Sequence, residues 1–342
     1  MKSTSYSNTI LLLIGVGFIL FIGKSIFIPI IFSLLLYFLI GAIRRFLDKN
    51  TLIKSKIPSW FKNLFSAFII FSLLGFLINA IYSNGYDFIH SLEKYQGNLE
   101  RMLLKIEHQF NLNISSQVEE SINKFNISNH INTIIDSITS TFGSLIIVLF
   151  YVLFFFLEES NFKKKMRLVF SDEQKRLETE LLFKNIQKSI TNYIGLKSFI
   201  SFLSSIICFI LLYFYQIDSP FLWAICIFIF NFIPVVGPFL AVVLPSFFAL
   251  IQFENFQISI YLLLFLSAIQ LVIGNFLEPK LLGNSLNISP LVALVSLSIW
   301  GAFWGVVGMV LSVPFTVIII ILLAHFSSTK SVAIMLSNKG DV

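Results

Sequence analysis

The chain has 342 residues, of which 56% are hydrophobic and 12% charged, with 24 Lys and Arg against 18 Asp and Glu for a net charge of +6. Soluble domains carry about a quarter charged residues, so this composition and a mean hydropathy of +0.87 exclude a soluble globular protein and require one that lies in the lipid bilayer. Cys208 and Cys226 both fall in apolar runs, where a thiol acts as a small hydrophobe, so neither a disulfide nor a metal site is expected, and no cofactor or nucleic-acid partner is implied.

A membrane helix needs about 20 apolar residues to cross roughly 30 Å of hydrocarbon. Runs near that length occupy residues 9–23, 25–43, 61–82, 138–157, 194–215 and 257–274, predicting an all-α polytopic membrane protein. The first run passes through Gly23-Lys24 into the second without a small-x-small cleavage pattern, so it is expected to stay as an anchor, with Lys24 in a tight external turn. Residues 1–83 then hold three helices, and 138–157 the fourth.

Lys and Arg near membrane ends mark the cytoplasmic side. Residues 44–62 carry Arg44, Arg45, Lys49, Lys54, Lys56 and Lys62 against Asp48, and residues 158–197 carry Lys163, Lys164, Lys165, Arg167, Lys175, Arg176, Lys184, Lys188 and Lys197. Both stretches are expected on the cytoplasmic side, together with the N-terminus and the tail 327–342. Residues 84–137 hold seven acids against four bases and are expected outside. There Ile89, Leu92, Leu99, Leu103, Ile106 and Phe110, then Val118, Ile122 and Phe125, approach helical spacing and predict one or two amphipathic helices. Leu177, Leu181, Ile186, Ile190 and Ile194 form a similar stripe on a cytoplasmic helix within 158–193 that leads into the next span.

The region 194–326 contains one plan used twice. SPFLWAICIFIFNFIPVVGPFLAVVLP opens at Ser219 and SPLVALVSLSIWGAFWGVVGMVLSVP at Ser289: Ser-Pro, an apolar arm, a break marked by Gly or Pro, a second arm, Pro. Non-helical backbone survives at membrane depth only where it is buried in protein or lines a polar cavity, and paired interruptions in an internal repeat point to a transporter's binding site. Elements at 220–251 and 290–326 exceed the length of one crossing, which favours two re-entrant hairpins with tips at 231–238 and 300–308 over two kinked spans. The single crossing between them, 257–274, would invert the second hairpin relative to the first. Pro220, Pro245, Pro279, Pro290 and Pro314 are expected to mark the structural breaks, since proline removes a backbone donor.

The segments NFIPVVGPFLAVVLP (231–245), NFLEPKLLGNSLNISPL (275–291) and WGAFWGVVGMVLSVP (300–314) resemble the signature of the AI-2E family of bacterial membrane transporters, most strongly over 193–326. The resemblance implies transport rather than catalysis. Family members are associated with export of autoinducer-2, with sodium or lithium/proton antiport, and with sporulation, so it does not fix a cargo. It also implies a homo-oligomer and an elevator-like motion.

Candidate substrate-binding or gating residues are Asn231, Pro234, Gly237 and Pro238 at the first tip, and Trp300, Gly301, Gly305 and Gly308 at the second. Gln270, Asn275, Glu278, Asn284, Asn287 and Ser289 lie between. Helix ends at the tips offer free N–H and C=O groups, Asn231 adds an amide, and the glycines admit close backbone approach or pack helices through small surfaces. Trp300 and Trp304 serve packing or touch substrate. Glu278 would bind a cation, carry a proton, or pair with Lys280 as a loop acid. The leading reading is a transporter that exports a small polar solute such as a quorum-sensing signal, with or without a coupling ion. A sodium(lithium)/proton antiporter using Glu278 is the alternative within transport, and a membrane scaffold the alternative outside it. An intramembrane enzyme lacks support, since the chain has no His-Glu-x-x-His or Gly-x-Ser-x-Gly and only four His, namely His90, His108, His130 and His325.

Overall fold

The computed structural model describes residues 15–110, 127–170, 172–282 and 288–340, and they are helical with no strand among them. The helices are α1 (Lys24–Leu47), α2 (Thr51–Lys56), α3 (Ser59–Phe110), α4 (Ile127–Val169), α5 (Glu173–Phe214), α6 (Pro220–Phe230), α7 (Val236–Phe253), α8 (Phe256–Val272), α9 (Glu278–Leu282), α10 (Pro290–His325) and α11 (Lys330–Leu336), with a π-helical turn Ile273–Leu277 between α8 and α9. Among the described residues six helical segments are long and apolar enough to cross a membrane. The chain divides into two compact units. One comprises Met1–Ala67, Ser144–Gly195 and Asn284–Val342, and the other Phe68–Gly143 and Leu196–Gly283.

In the first unit, Leu35, Ile186, Ile190, Trp304 and Leu311 form the buried centre. The N-terminal side differs from expectation. Gly23 bends a helix and does not reverse it: its N–H donates to Ile19 O at 2.8 Å and its carbonyl accepts from Phe27 N at 2.9 Å, so helical bonding passes through the bend. Lys24 begins α1 and does not sit in a turn. The count of two crossings before Arg44, and the cytoplasmic N-terminus that rested on it, therefore lose their support. At the other end of α1, Arg44 Nη1 donates to Asn63 at 3.3 Å, Arg44 Nη2 lies 3.8 Å from Glu159, and the buried Lys62 pairs with Asp48, which ties three segments through their basic ends.

The second unit is built round Cys208, Leu212, Leu222, Ile227, Ala241, Phe248, Leu262 and Leu266. Its α6 has 11 residues, about 16 Å at 1.5 Å per residue, too short to cross alone. Pro220 stands at the first position of α6, where a missing N–H costs nothing because that donor has no intrahelical acceptor. The arm then folds back. Trp223 near the start of α6 meets Phe248 near the end of α7 at 5.5 Å between ring centroids. Gln252 joins the two ends, donating to Gln216 O at 2.8 Å and accepting from Asp218 N at 2.9 Å.

The element α10, in the first unit, repeats the fold-back. Its 36 residues would run about 54 Å if straight, but Gly305 has φ 61° and ψ −141° and splits it in two. Ser296 donates to Ser312 O at 3.0 Å, and Trp300 packs against Phe315 with centroids 4.4 Å apart. Residues 16 apart would be separated by about 24 Å along one helix, so these contacts require two antiparallel arms. Lipid offers no hydrophobic drive between helices, and such arms rely on close packing and interhelical hydrogen bonds. Ser296, Ser312 and Thr316 supply the bonds, all buried.

Three of the expected breaks are not breaks, and one of them, Pro279, lies in helical chain that runs from α8 through the π-helical turn into α9. Pro245 and Pro314 lie inside α7 and α10, both buried, and the arms continue to Phe253 and His325. Each proline removes one helical bond, but the close-packed arm keeps the chain helical around it. Pro220 and Pro290 do begin helices. The stripe from Ile89 to Phe125 lies outside the described side chains.

The fold-back makes a topological prediction. In a variant whose natural cysteines are replaced by serine, single cysteines at Ser219 and Asn255 are expected to react with an impermeant thiol reagent from the same side of the membrane. So are cysteines at Ser289 and Ser327. Labelling of either pair from opposite sides would show a spanning helix in place of a hairpin.

Candidate functional site

The tips share a short sequence, Val235-Val236-Gly237 and Val306-Val307-Gly308. At each, the glycine lets two arms touch backbone to backbone. A Cβ on Gly237 would fall 1.8 Å from Phe230 O, and one on Gly308 would fall 1.9 Å from Trp300 O. Only glycine fits either position. Gly301 is different, since a Cβ there would meet only the flexible Met309 side chain at 3.0 Å.

Tip one largely closes its own backbone. Asn231 N donates to Ile227 O, Phe232 N to Ile229 O, Ile233 N to Phe230 O, Val236 N to Pro234 O and Gly237 N to Ile233 O, at 2.6 to 3.1 Å. Pro238 has no N–H to offer. The helix-end donors expected at the start of α7 are thus mostly used within the turn. Val235 carries the strain of the reversal, with φ 62° and ψ −57°, a conformation that is an outlier for a β-branched residue. What the turn leaves open is a side chain. Asn231 is 5% exposed and its Nδ2 has no hydrogen-bond partner, a costly state for a buried amide.

Tip two carries more aromatic bulk. Trp304 is buried and its Nε1 donates to Leu20 O at 2.9 Å, and Trp300, Trp304 and Phe315 pack edge and face within 5.5 Å. The Trp304 indole therefore fastens the tip to the helical residues ahead of Gly23. Gly305, Val306 and Val307 are exposed. Ser289 precedes α10, and its N–H donates to Leu336 O at 3.2 Å, which ties the end of α11 to the start of the hairpin.

Gln270, Asn275 and Glu278 lie on α8, the π-turn and α9. The proline at 279 explains the turn, because its ring would clash with the Asn275 carbonyl in an α-helix. A wider turn relieves this, and Glu278 N bonds Ile273 O, five residues back. Such π-turns recur at functional sites. Glu278 pairs with Lys197 of α5, not with Lys280 as a loop acid would. Gln270 Nε2 donates to Ser204 Oγ at 3.3 Å. Lys197, Ser201 and Ser204 share one face of α5, all buried, and Ser201 Oγ has no partner. Asn275 and Pro279 are exposed, and Asn284 and Asn287 fall outside the described residues.

Sequence reasoning therefore located the tips but missed Lys197, Ser201 and Ser204. Their spacing of four and three on one apolar helix was the available signal. The cation pairing with Glu278 lies 81 positions away and leaves no local trace.

A model of AI-2E family transporters matches residues 9–328. A Borreliella burgdorferi protein provisionally named a transport protein is 32% identical over 326 residues, 92% of this chain and 85% of the relative. The AI-2 transport protein TqsA of Escherichia coli K12 is 30% identical over 208 residues, 61% of this chain and 59% of TqsA. A Haemophilus influenzae protein, also provisionally named for transport, is 26% identical over 327 residues, 94% of this chain and 92% of its own.

Two outcomes are expected for purified protein. Gly237→Ala and Gly308→Ala should each lose about 1–3 kcal/mol, the usual cost of overpacking, read as a lower unfolding temperature, while Gly301→Ala should change it little. Lys197→Met should cost about 2 kcal/mol by stranding Glu278, and the double variant Lys197→Met/Glu278→Leu should recover most of it. No recovery in the double variant would mean that the pair holds the fold by more than charge balance.

Proposed function

The chain belongs to the AI-2E family of transporters, and on that premise we propose that it exports a small, uncharged polar solute, such as a quorum-sensing signal, engaged at tip one by Asn231. It is a multi-pass membrane protein and a transporter, not an enzyme. The observation that carries the choice of solute is the buried Asn231 amide without a partner. Its free N–H groups suit a hydroxyl, ether or carbonyl oxygen. Neither 231–238 nor 300–308 contains a charged residue, and the backbone donors of tip one are largely spent. A carboxylate or phosphate would meet little to balance its charge there.

The exposed valines at each tip fit a surface that packs against protein or lipid when no solute is bound. Gly237 and Gly308 keep the two arms of each hairpin in contact, and Gln270 joins α8 to Ser204 of α5. The relative TqsA is named for autoinducer-2 transport, and this solute heads the compounds to try. By the distribution of Lys and Arg, residues 44–62, 158–197 and the C-terminal tail face the cytoplasm of a bacterial inner membrane, and the working form is a homo-oligomer. Antiport of sodium or lithium would rely on Glu278, whose carboxylate is already paired with Lys197.

The test is flux by purified protein in liposomes, comparing autoinducer-2, sugar-like compounds, organic anions and alkali cations. Asn231→Ala should raise the KM for the transported solute about five- to tenfold, the worth of one neutral hydrogen bond, with the unfolding temperature unchanged or higher. Cation-dependent proton flux that vanishes in Glu278→Gln, with no solute movement, would replace this reading with antiport.

A further inference from the structure

Beyond its membrane-spanning part, ending near Tyr86, α3 continues to Phe110 and presents one face to the base of hairpin one. Phe88, Tyr95, Asn98 and Arg101 follow one another along it at spacings of seven, three and three. Phe88 is buried against Trp223 and Phe248, with ring centroids at 5.6 and 4.9 Å, and Tyr95 meets Phe248 at 5.5 Å. Tyr95 OH donates to Asp218, just ahead of α6. Burial and the Asp218 carboxylate beside it push the phenol above its ordinary range.

The polar end of this face closes the last turn of α7. Asn98 Nδ2 donates to Ile251 O at 3.1 Å and Gln252 O at 3.2 Å, two terminal carbonyls that have no helical donor. Arg101 places Nε at 3.0 Å and Nη2 at 2.8 Å from Glu254 Oε1, and Nη2 also reaches Asn98 Oδ1 at 2.6 Å. Gln252 then links to Gln216 and Asp218. Three non-glycine residues in this base have positive φ: Gln216 at 54°, Ser219 at 53° and Glu254 at 49°. Such residues persist only where the surroundings over-determine them, and the contacts from α3 and Gln252 supply that constraint.

We propose that Asn98 and Arg101 are positioning residues for transport: they clamp the base of hairpin one and thereby set the conformation in which its tip is presented. This rests on the reading that hairpin one carries the solute contact. Asn98 is the fixed part, a side-chain cap on a helix terminus. The Arg101–Glu254 pair is the adjustable part, because the Arg101 side chain is 59% exposed and salt screens exposed pairs.

The experiment uses the full chain in liposomes and three readouts: hydrogen exchange of residues 216–220 and 251–255, the reaction rate of a single cysteine placed at Val235, and solute flux. Asn98→Ala and Arg101→Gln should each speed exchange at the base at least fivefold, change the Val235 cysteine rate, and shift KM for flux. Raising salt from 50 to 500 mM should move the parent protein toward Arg101→Gln while leaving that variant unmoved. The charge-exchanged variant Arg101→Glu/Glu254→Arg should regain protection. Faster exchange at the base with an unchanged rate at Val235 would overturn the positioning role, and so would unchanged exchange in Arg101→Gln, which keeps Asn98 and guards against misfolding of Asn98→Ala. If the parent protein moves no solute, the transport reading of tip one fails, while exchange and the Val235 rate still decide the clamp.

Discussion

Backbone polar groups that leave a helix inside hydrocarbon must find partners within the protein, and the two hairpins are organised by that requirement. At tip one the turn spends its N–H groups on carbonyls of the preceding arm and of the turn itself. At tip two a single flipped glycine lets helical bonding stop and restart with almost no loop between. Both depend on a glycine whose missing Cβ is replaced by a carbonyl oxygen of the opposite arm. A reversal of this tightness leaves few backbone groups free, and at the first tip the Asn231 amide is a buried side-chain donor without a partner.

The same logic extends to the hairpin bases. Helix termini carry orphan carbonyls that water would satisfy on an exposed surface. Here Asn98 satisfies two of them, and Gln252 joins both ends of the hairpin. The π-turn before Glu278 belongs to the same class of solutions, since it accommodates a proline without ending the helix. Next to it, the buried Lys197 neutralises the Glu278 carboxylate. Each departure from regular helix in the second unit is matched by an identifiable polar partner, apart from Asn231 Nδ2, Ser201 Oγ and Trp223 Nε1 among its described buried groups.

Much of the architecture was legible because lipid restricts the options. Length alone separated hairpins from spans: 36 residues from Pro290 to His325 are too many for one crossing, and the fold-back at Gly305 is the outcome. Proline was a less reliable guide. Pro220 and Pro290 start helices, but Pro245 and Pro314 sit buried within them, because an arm held on several sides tolerates one lost hydrogen bond. Gly23-Lys24 read as a turn from a charge between two apolar runs, and the bend that replaces it is fixed by Trp304 binding the Leu20 carbonyl from a distant part of the chain. The candidate residues Asn231, Gly237 and Gly308 were identifiable from the repeat, whereas Lys197 and Asn98 were not.

Composition, run lengths and the repeated Ser-Pro plan determined by themselves that this is an all-helical membrane protein with two broken elements, since hydrophobicity and helix rise are local properties counted along the chain. Tertiary structure decided which polar groups meet. Pairings such as Lys197 with Glu278, Asn98 with the end of α7, and Phe230 O with Gly237 depend on the register between helices, and register is set by the packing of whole faces. No spacing in the sequence encodes that packing, so the partners became visible only once the arms were folded together.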